Sequence, residues 1–199
     1  MLKRYGFWGL VRVLVSLLYT KIYFKNARLI RLPFDIRNRR FIEIGKSFTS
    51  GIGCRLEAHQ MDASKSSKVL IIGEHVQVND YIHIAAGEKV QIGNHVLIAS
   101  KVFITDINHG LYQGEQVDSP LVPPNDRQLS TNPVFIEDNV WLGENVCVMP
   151  GTTIGFGSII GASSVVTKSI PAHCIAVGNP ARVIKVFNME KQRWDAVVK

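Results

Sequence analysis

Cysteine is scarce in this chain, and acidic residues are nearly missing from its first quarter. Of 199 residues only Cys54, Cys147 and Cys174 carry thiols; they lie far apart, are odd in number and form no C-x-x-C pair. Such spacing argues against a disulfide framework or a cysteine zinc site, and a reducing, cytoplasmic environment fits it. A long apolar run is also lacking. In residues 7–24 the uncharged stretch between Arg12 and Lys21 is eight residues, too short to span a bilayer. No small-residue cleavage site follows it, which argues against a secretory signal.

What is present is a strongly polarised charge. Residues 1–46 hold eleven Lys or Arg against Asp35 and Glu43, a net of +9, while residues 47–199 hold twelve basic and fourteen acidic residues, a net of −2. The basic segment is expected to meet an anionic surface, either a membrane leaflet or a phosphate-bearing substrate. No nucleic-acid-binding motif accompanies it, so nucleic acid is not an expected partner. Residues 7–24 read either as a helix packed on the rest of the protein or as an amphipathic helix at the inner face of the membrane, with Trp8 and Tyr23 at headgroup depth. One helix can serve both roles with opposite faces.

With 46% apolar and 20% charged residues, the chain suits one main domain. From residue 136 onward, Ile136, Leu142, Val148, Ile154, Ile160 and Val166 occupy every sixth position. An even period agrees with the two-residue alternation of a strand and not with the 3.6-residue helix, so short strands separated by turns are expected. A hexapeptide period marks a parallel β-helix. The same spacing recurs earlier at Ile72, Val78, Ile84 and at Ile92, Ile98, Ile104, with Ile44 and Leu56 extending it weakly. Three hexapeptides per coil would stack aliphatic side chains inward along three faces. The expected organisation is a basic amphipathic segment over 1–40, a repeat domain over 41–186 and a short C-terminal helix over 187–199. One long loop, 110–133, interrupts the repeat and carries Pro120, Pro123 and Pro124. Loops of that length in compact repeats are commonly functional.

The loop follows I-G-N-H-V-L-I-A-S-K-V-F-I-T-D-I-N-H-G, residues 92–110, which places His109 at the end of a coil. Acyl transfer from a thioester to a hydroxyl needs a base, and an imidazole titrating near about 6.5 suits that proton transfer. Asp106 stands three residues earlier; it can orient the imidazole or serve as a turn residue.

Over residues 72–185 the chain resembles the maltose and galactoside O-acetyltransferases. Through R-Y-G-F, F-T-S-G, H-I-A-A and A-S-K-V-F-I it resembles the bacterial lipopolysaccharide O-antigen O-acetyltransferases along nearly its whole length. The resemblance implies an all-β, left-handed parallel β-helix of hexapeptide repeats, assembled as a homotrimer with sites between subunits. It implies acetyl-CoA as co-substrate and no required metal. It implies His109 as catalytic base, with Asn79 of V-N-D-Y contacting the acceptor, a saccharide or lipid-linked glycan. The same resemblance carries Trp141 in V-W-L-G to the pantetheine channel, although that tryptophan can also be subunit packing. It carries Ala162, Thr167 and Lys168 in G-A-S-S-V-V-T-K to coenzyme A, and Arg182 and Lys185 to its phosphates. Glu144 and Lys185 depart from the family, where serine and arginine are common. A small soluble sugar or a xenobiotic is the alternative acceptor.

Zinc carbonic anhydrases of the same architecture are a further alternative. They use two histidines five residues apart, a pair missing among His75, His83, His95 and His109. His75 and His95, about one coil apart, are expected to stack on an outer, solvated face. A repeat scaffold without catalysis would release no coenzyme A.

Overall fold

A computed structural model describes residues 2–59, 61 and 67–197, with side chains described from residue 6 onward. Helix α1, Leu2–Tyr23, opens the chain; its regular part starts after Gly6, where the backbone leaves the helical region. The chain then winds a left-handed parallel β-helix.

Three parallel ladders make three faces. The first begins with Leu29–Ile30 and runs through Thr49–Ser50, Gln77–Val78, Leu97–Ile98, Trp141–Leu142 and Ile159–Ile160 to Cys174–Val177. The second runs from Phe34–Arg37 through Cys54–Ala58, His83–Ala86, Phe103–Thr105 and Cys147–Val148 to Val165–Val166. Ile42–Ile44, Leu70–Ile72, Val90–Ile92, Val134–Ile136 and Thr153–Ile154 form the third.

Period six becomes architecture because strands of two or three residues point one side chain inward per face. On the second face Ile36, Leu56, Ile84, Ile104, Val148 and Val166 align in register, and the last five are buried. Each coil buries these aliphatics against the next, so the core is a column. Corners tolerate little bulk: a Cβ on Gly73 would lie 2.6 Å from the Gly93 carbonyl oxygen of the next coil. At the corner between the third and first faces His75 and His95 both take positive φ, and their rings stack with centroids 4.9 Å apart on the exposed surface, as their spacing predicts.

Two expectations need correction. The repeat does not begin at residue 41: Leu29–Ile30 and Phe34–Arg37 already pair in register with the second coil. The C-terminal segment is not a helix. Arg182–Asn188 and Arg193–Ala196 form an antiparallel hairpin added to the first face, with Phe187 and Trp194 edge to face at 5.2 Å. The edge at Cys174–Val177 would otherwise present unpaired N–H and C=O groups, and Val183, Ile184, Val186 and Phe187 favour the extended strand that covers it.

At the other end the open edge is covered by α1. Thr20 Oγ1 accepts the Ile30 N–H at 2.8 Å, and Ser16 Oγ accepts the Leu32 N–H at 3.2 Å. Both hydroxyl residues are buried. The helix therefore turns its two hydroxyl residues inward, where a free strand edge needs acceptors.

Candidate functional site

The long insertion is ordered by its own hydrogen bonds. Ile107–His109 pairs antiparallel with Leu129–Thr131, so the loop leaves and re-enters the coil as a hairpin. The His109 carbonyl accepts the Tyr112 hydroxyl, and the Gly110 carbonyl accepts the Ser130 hydroxyl at 2.7 Å. Arg127 donates to the Val122 carbonyl from Nε and Nη2, at 2.9 and 2.8 Å, and from Nη1 to the Tyr112 oxygen at 3.0 Å. The backbone beneath His109 is thus pinned while its imidazole stays exposed.

Asp106 does not orient that imidazole. Its Oδ1 accepts the Gly87 N–H at 2.7 Å, and its Oδ2 accepts those of Glu88 and Lys89 at 2.8 and 2.6 Å. The residue has 0% exposure. Three charge-assisted bonds occupy most of a carboxylate's acceptor capacity, so Asp106 pins the 87–89 turn beneath the hairpin. The turn reading of this residue is the one the geometry follows, with the bonds reaching a neighbouring coil instead of its own backbone.

The other predicted residues sort onto two edges of the prism. Asn79 follows Gln77–Val78 at the corner between the first and second faces, and Ala162 follows Ile159–Ile160 at the same corner. Three ladder steps separate them, about 14 Å along the axis. His109 follows Phe103–Thr105 at the corner between the second and third faces, where Thr167 and Lys168 follow Val165–Val166 two steps further on. Within one chain the width of the second face, about five residues or roughly 15 Å, keeps Asn79 from His109. Trp141 points outward from the first face between Leu97 and Ile159, 47% exposed. Arg182 and Lys185 lie exposed on the returning strand beyond Cys174–Val177.

A cavity of about 300 Å³ lies along the Asn79 edge, lined by Arg31, Thr49, Ser50, Gln77, Asn79 and Ser100 among others. Sequence reading missed it, because its residues are two dozen positions apart and meet only through coil stacking. Beneath Asn79, Cys54 Sγ donates to the Asn79 carbonyl at 3.1 Å, and burial pushes its thiol up to about 11.

A second polar cluster sits on the outer side of the second face. Arg55 can only donate, so His83 Nδ1 accepts from its Nη2 at 3.2 Å and Nε2 donates to Glu57 Oε1 at 2.6 Å. Arg37 closes the other Glu57 oxygen at 3.1 Å. Burial pushes the Glu57 carboxyl up, but the hydrogen bond from His83 and the nearby charge of Arg55 outweigh it and hold the group below the usual range. His83 is therefore a structural partner. The described residues hold no group of three or more histidine, cysteine or carboxylate side chains arranged for a metal.

Residues 133–168 match the bacterial transferase hexapeptide family, described as six repeats. The chain is 46% identical over 194 residues to WbbJ of Escherichia coli, named for lipopolysaccharide biosynthesis O-acetyl transfer; the match covers 97% of this chain and 96% of that protein. Among solved structures it is similar to AntD, an N-acyltransferase from Bacillus cereus in complex with dTDP and 3-hydroxybutyryl-CoA. There the TM-score is 0.67 at 25% identity, over 87% of this chain and 89% of that one. It is also similar to a hexapeptide-repeat containing acetyltransferase from Vibrio cholerae complexed with acetyl coenzyme A, with TM-score 0.53 and 25% identity over 78% of this chain and 71% of that one.

Proposed function

The chain belongs to the bacterial hexapeptide-repeat acetyltransferases, and on that premise we propose that it moves an acetyl group from acetyl-CoA to a hydroxyl of a surface saccharide, with His109 as general base. The observation that carries this reading is the division of the candidate residues between two edges in the same axial order. Asn79 and Ala162 run up one edge, and His109 and Thr167–Lys168 run up the next. Copies set side by side around a three-fold axis bring one edge of each against the other edge of its neighbour, so a homotrimer holds three complete clefts. In each cleft the acceptor lies at the level of Asn79 and His109, and the donor extends from there toward the C-terminal coils. The exposed loop tip, with Leu121 at 91% exposure, then has a neighbouring copy to close against.

Acetyl-CoA supplies an activated thioester. The His109 imidazole takes the proton of the acceptor hydroxyl as its oxygen bonds to the acetyl carbon. The tetrahedral oxyanion that results needs a backbone N–H donor and collapses with loss of the thiolate, which receives the proton from the imidazolium. The products are an acetyl ester and coenzyme A. Trp141 flanks the pantetheine arm, the small side chain of Ala162 lets backbone amides approach it, and Thr167 contacts it from the other copy. Lys168, Arg182 and Lys185 meet the phosphates as cations. The acceptor class, a lipopolysaccharide O-antigen or related surface glycan, agrees with the basic N-terminal segment and the name of the E. coli relative.

Coenzyme A release from acetyl-CoA, measured as free thiol with a panel of surface glycans, tests the reaction, and mass spectrometry of the glycan locates the acetyl group. His109→Ala is expected to lower kcat by about 10²–10⁴ while acetyl-CoA binding persists. Unchanged turnover in that variant overturns the assignment, and a monomer by light scattering overturns the shared cleft.

A further inference from the structure

Helix α1 is built inside out for a surface helix of a water-soluble domain. Ser16 and Thr20, its most buried residues, face the first coil. Phe7, Trp8, Leu14, Val15, Leu18 and Ile22 are all exposed, between 50% and 75%. At 3.6 residues per turn these six fall within about one third of the circumference, opposite Thr20. Among residues 7–23 no charged residue interrupts that arc. Arg12 borders it on one side and Lys21 on the other, and Lys25 and Arg28 follow, all four exposed. An apolar arc bordered by cations is the arrangement of a helix lying at the boundary of headgroups and acyl chains. No helix of the described residues is long and apolar enough to cross a membrane.

Its place in the fold decides what the arc can meet. Because α1 lies across the open edge of the first coil, the arc points away along the coil axis and not sideways toward a neighbouring prism. Lateral packing around a three-fold axis leaves it uncovered and sets three such arcs at the same end. We propose that α1 is an interfacial anchor that stands the protein end-on upon an anionic bilayer, holding the acceptor level of the cleft at a fixed height above the leaflet. This rests on the proposed reaction only for what the height means; the docking itself does not depend on it. Two to three ladder steps of about 4.8 Å, plus a helix about 10 Å thick, place Asn79 and His109 roughly 20–25 Å from the bilayer face. The 300 Å³ cavity from Arg31 to Ser100 runs down the Asn79 edge toward that end. The acceptor that fits is a glycan anchored in the same bilayer and long enough to reach the cleft from below.

Flotation of the full-length protein with phosphatidylcholine vesicles, with and without phosphatidylglycerol, tests the anchor. The protein is expected to float with the anionic vesicles, and the Trp8 emission to shift to the blue, a signal lost in Trp8→Phe. Leu14→Ser with Leu18→Ser, both at exposed positions, is expected to cut vesicle partition at least about tenfold. Arg12→Gln with Lys21→Gln is expected to cut it by about an order of magnitude on anionic vesicles only. Both double variants should keep the wild-type Tm and wild-type coenzyme A release with a soluble acceptor fragment. The anchor is overturned if the wild type stays with the protein pellet in both vesicle mixtures, or if Leu14→Ser with Leu18→Ser floats undiminished. It is equally overturned if that variant halves the solution mass by light scattering, which makes the arc an end-to-end contact between copies. Flotation without acetyl transfer to any glycan leaves the anchor standing and removes the proposed reaction instead.

Discussion

Asp106→Asn separates a structural pin from a catalytic partner more sharply than any other single change. The substitution keeps the shape of the side chain but replaces one acceptor oxygen with an NH₂ group. Asp106 now accepts three backbone N–H groups within 2.6–2.8 Å, two of them on Oδ2. Placing the amide oxygen toward Glu88 and Lys89 leaves the Gly87 N–H buried and facing another donor; the reverse orientation strands two donors. An unsatisfied buried donor costs about 1–3 kcal/mol, and the two remaining contacts lose their charge assistance. A destabilisation of roughly 3 kcal/mol is expected, which for a chain of this size lowers Tm by about 6–12 °C. Folded Asp106→Asn should turn over within a few-fold of the wild type well below its Tm. Were Asp106 orienting the His109 imidazole, the variant would instead keep its Tm and lose about 10⁴ in kcat, as triads do when the tautomer is wrong. Calorimetry beside a coenzyme A release assay reads both quantities, and an unchanged Tm with a collapsed kcat refutes the pin.

Glu57 carries a depressed pKa, so its stabilisation is complete above the unfolded carboxyl value near about 4.3 and is lost as pH falls through the lower folded value; Glu57→Gln should flatten the acid limb of a Tm-against-pH curve and lower the plateau at neutral pH. At pH 8 the Cys54 thiol, raised to about 11, is ionised in on the order of one molecule in a thousand, so iodoacetamide should leave it unlabelled in the native protein and label it in denaturant. Thr20→Val removes the acceptor of the Ile30 N–H at the covered strand edge, and a Tm loss of about 2–12 °C by thermal scan is expected from one orphaned donor.

Much of the fold is legible in the sequence because the β-helix is specified locally. Ile84, Ile104, Val148 and Val166 stack because each hexapeptide buries one aliphatic, so period six reads directly as architecture. The first coil escaped that reading because Leu29–Ile30 and Phe34–Arg37 are held by pairing with their neighbours and not by an intact repeat. Residues 187–199 read as a short helix and not as part of a hairpin, since only the open edge at Cys174–Val177 decides in favour of strand.

Candidate chemistry divides along the same line. The sequence by itself determined the six-residue period, the place of His109 before the long loop, and a basic, interrupted apolar N-terminus too short to span a membrane. Only the tertiary structure decided that Asp106 serves the 87–89 turn, since its partners lie 17–19 residues away and meet it through coil stacking. The same stacking sets Asn79 and His109 on different edges, a separation that no spacing along the chain reveals. It also turns Ser16 and Thr20 of α1 inward and leaves an apolar arc from Phe7 to Ile22 outward, because a hydrogen-bonding strand edge is a partner that the helix sequence does not contain.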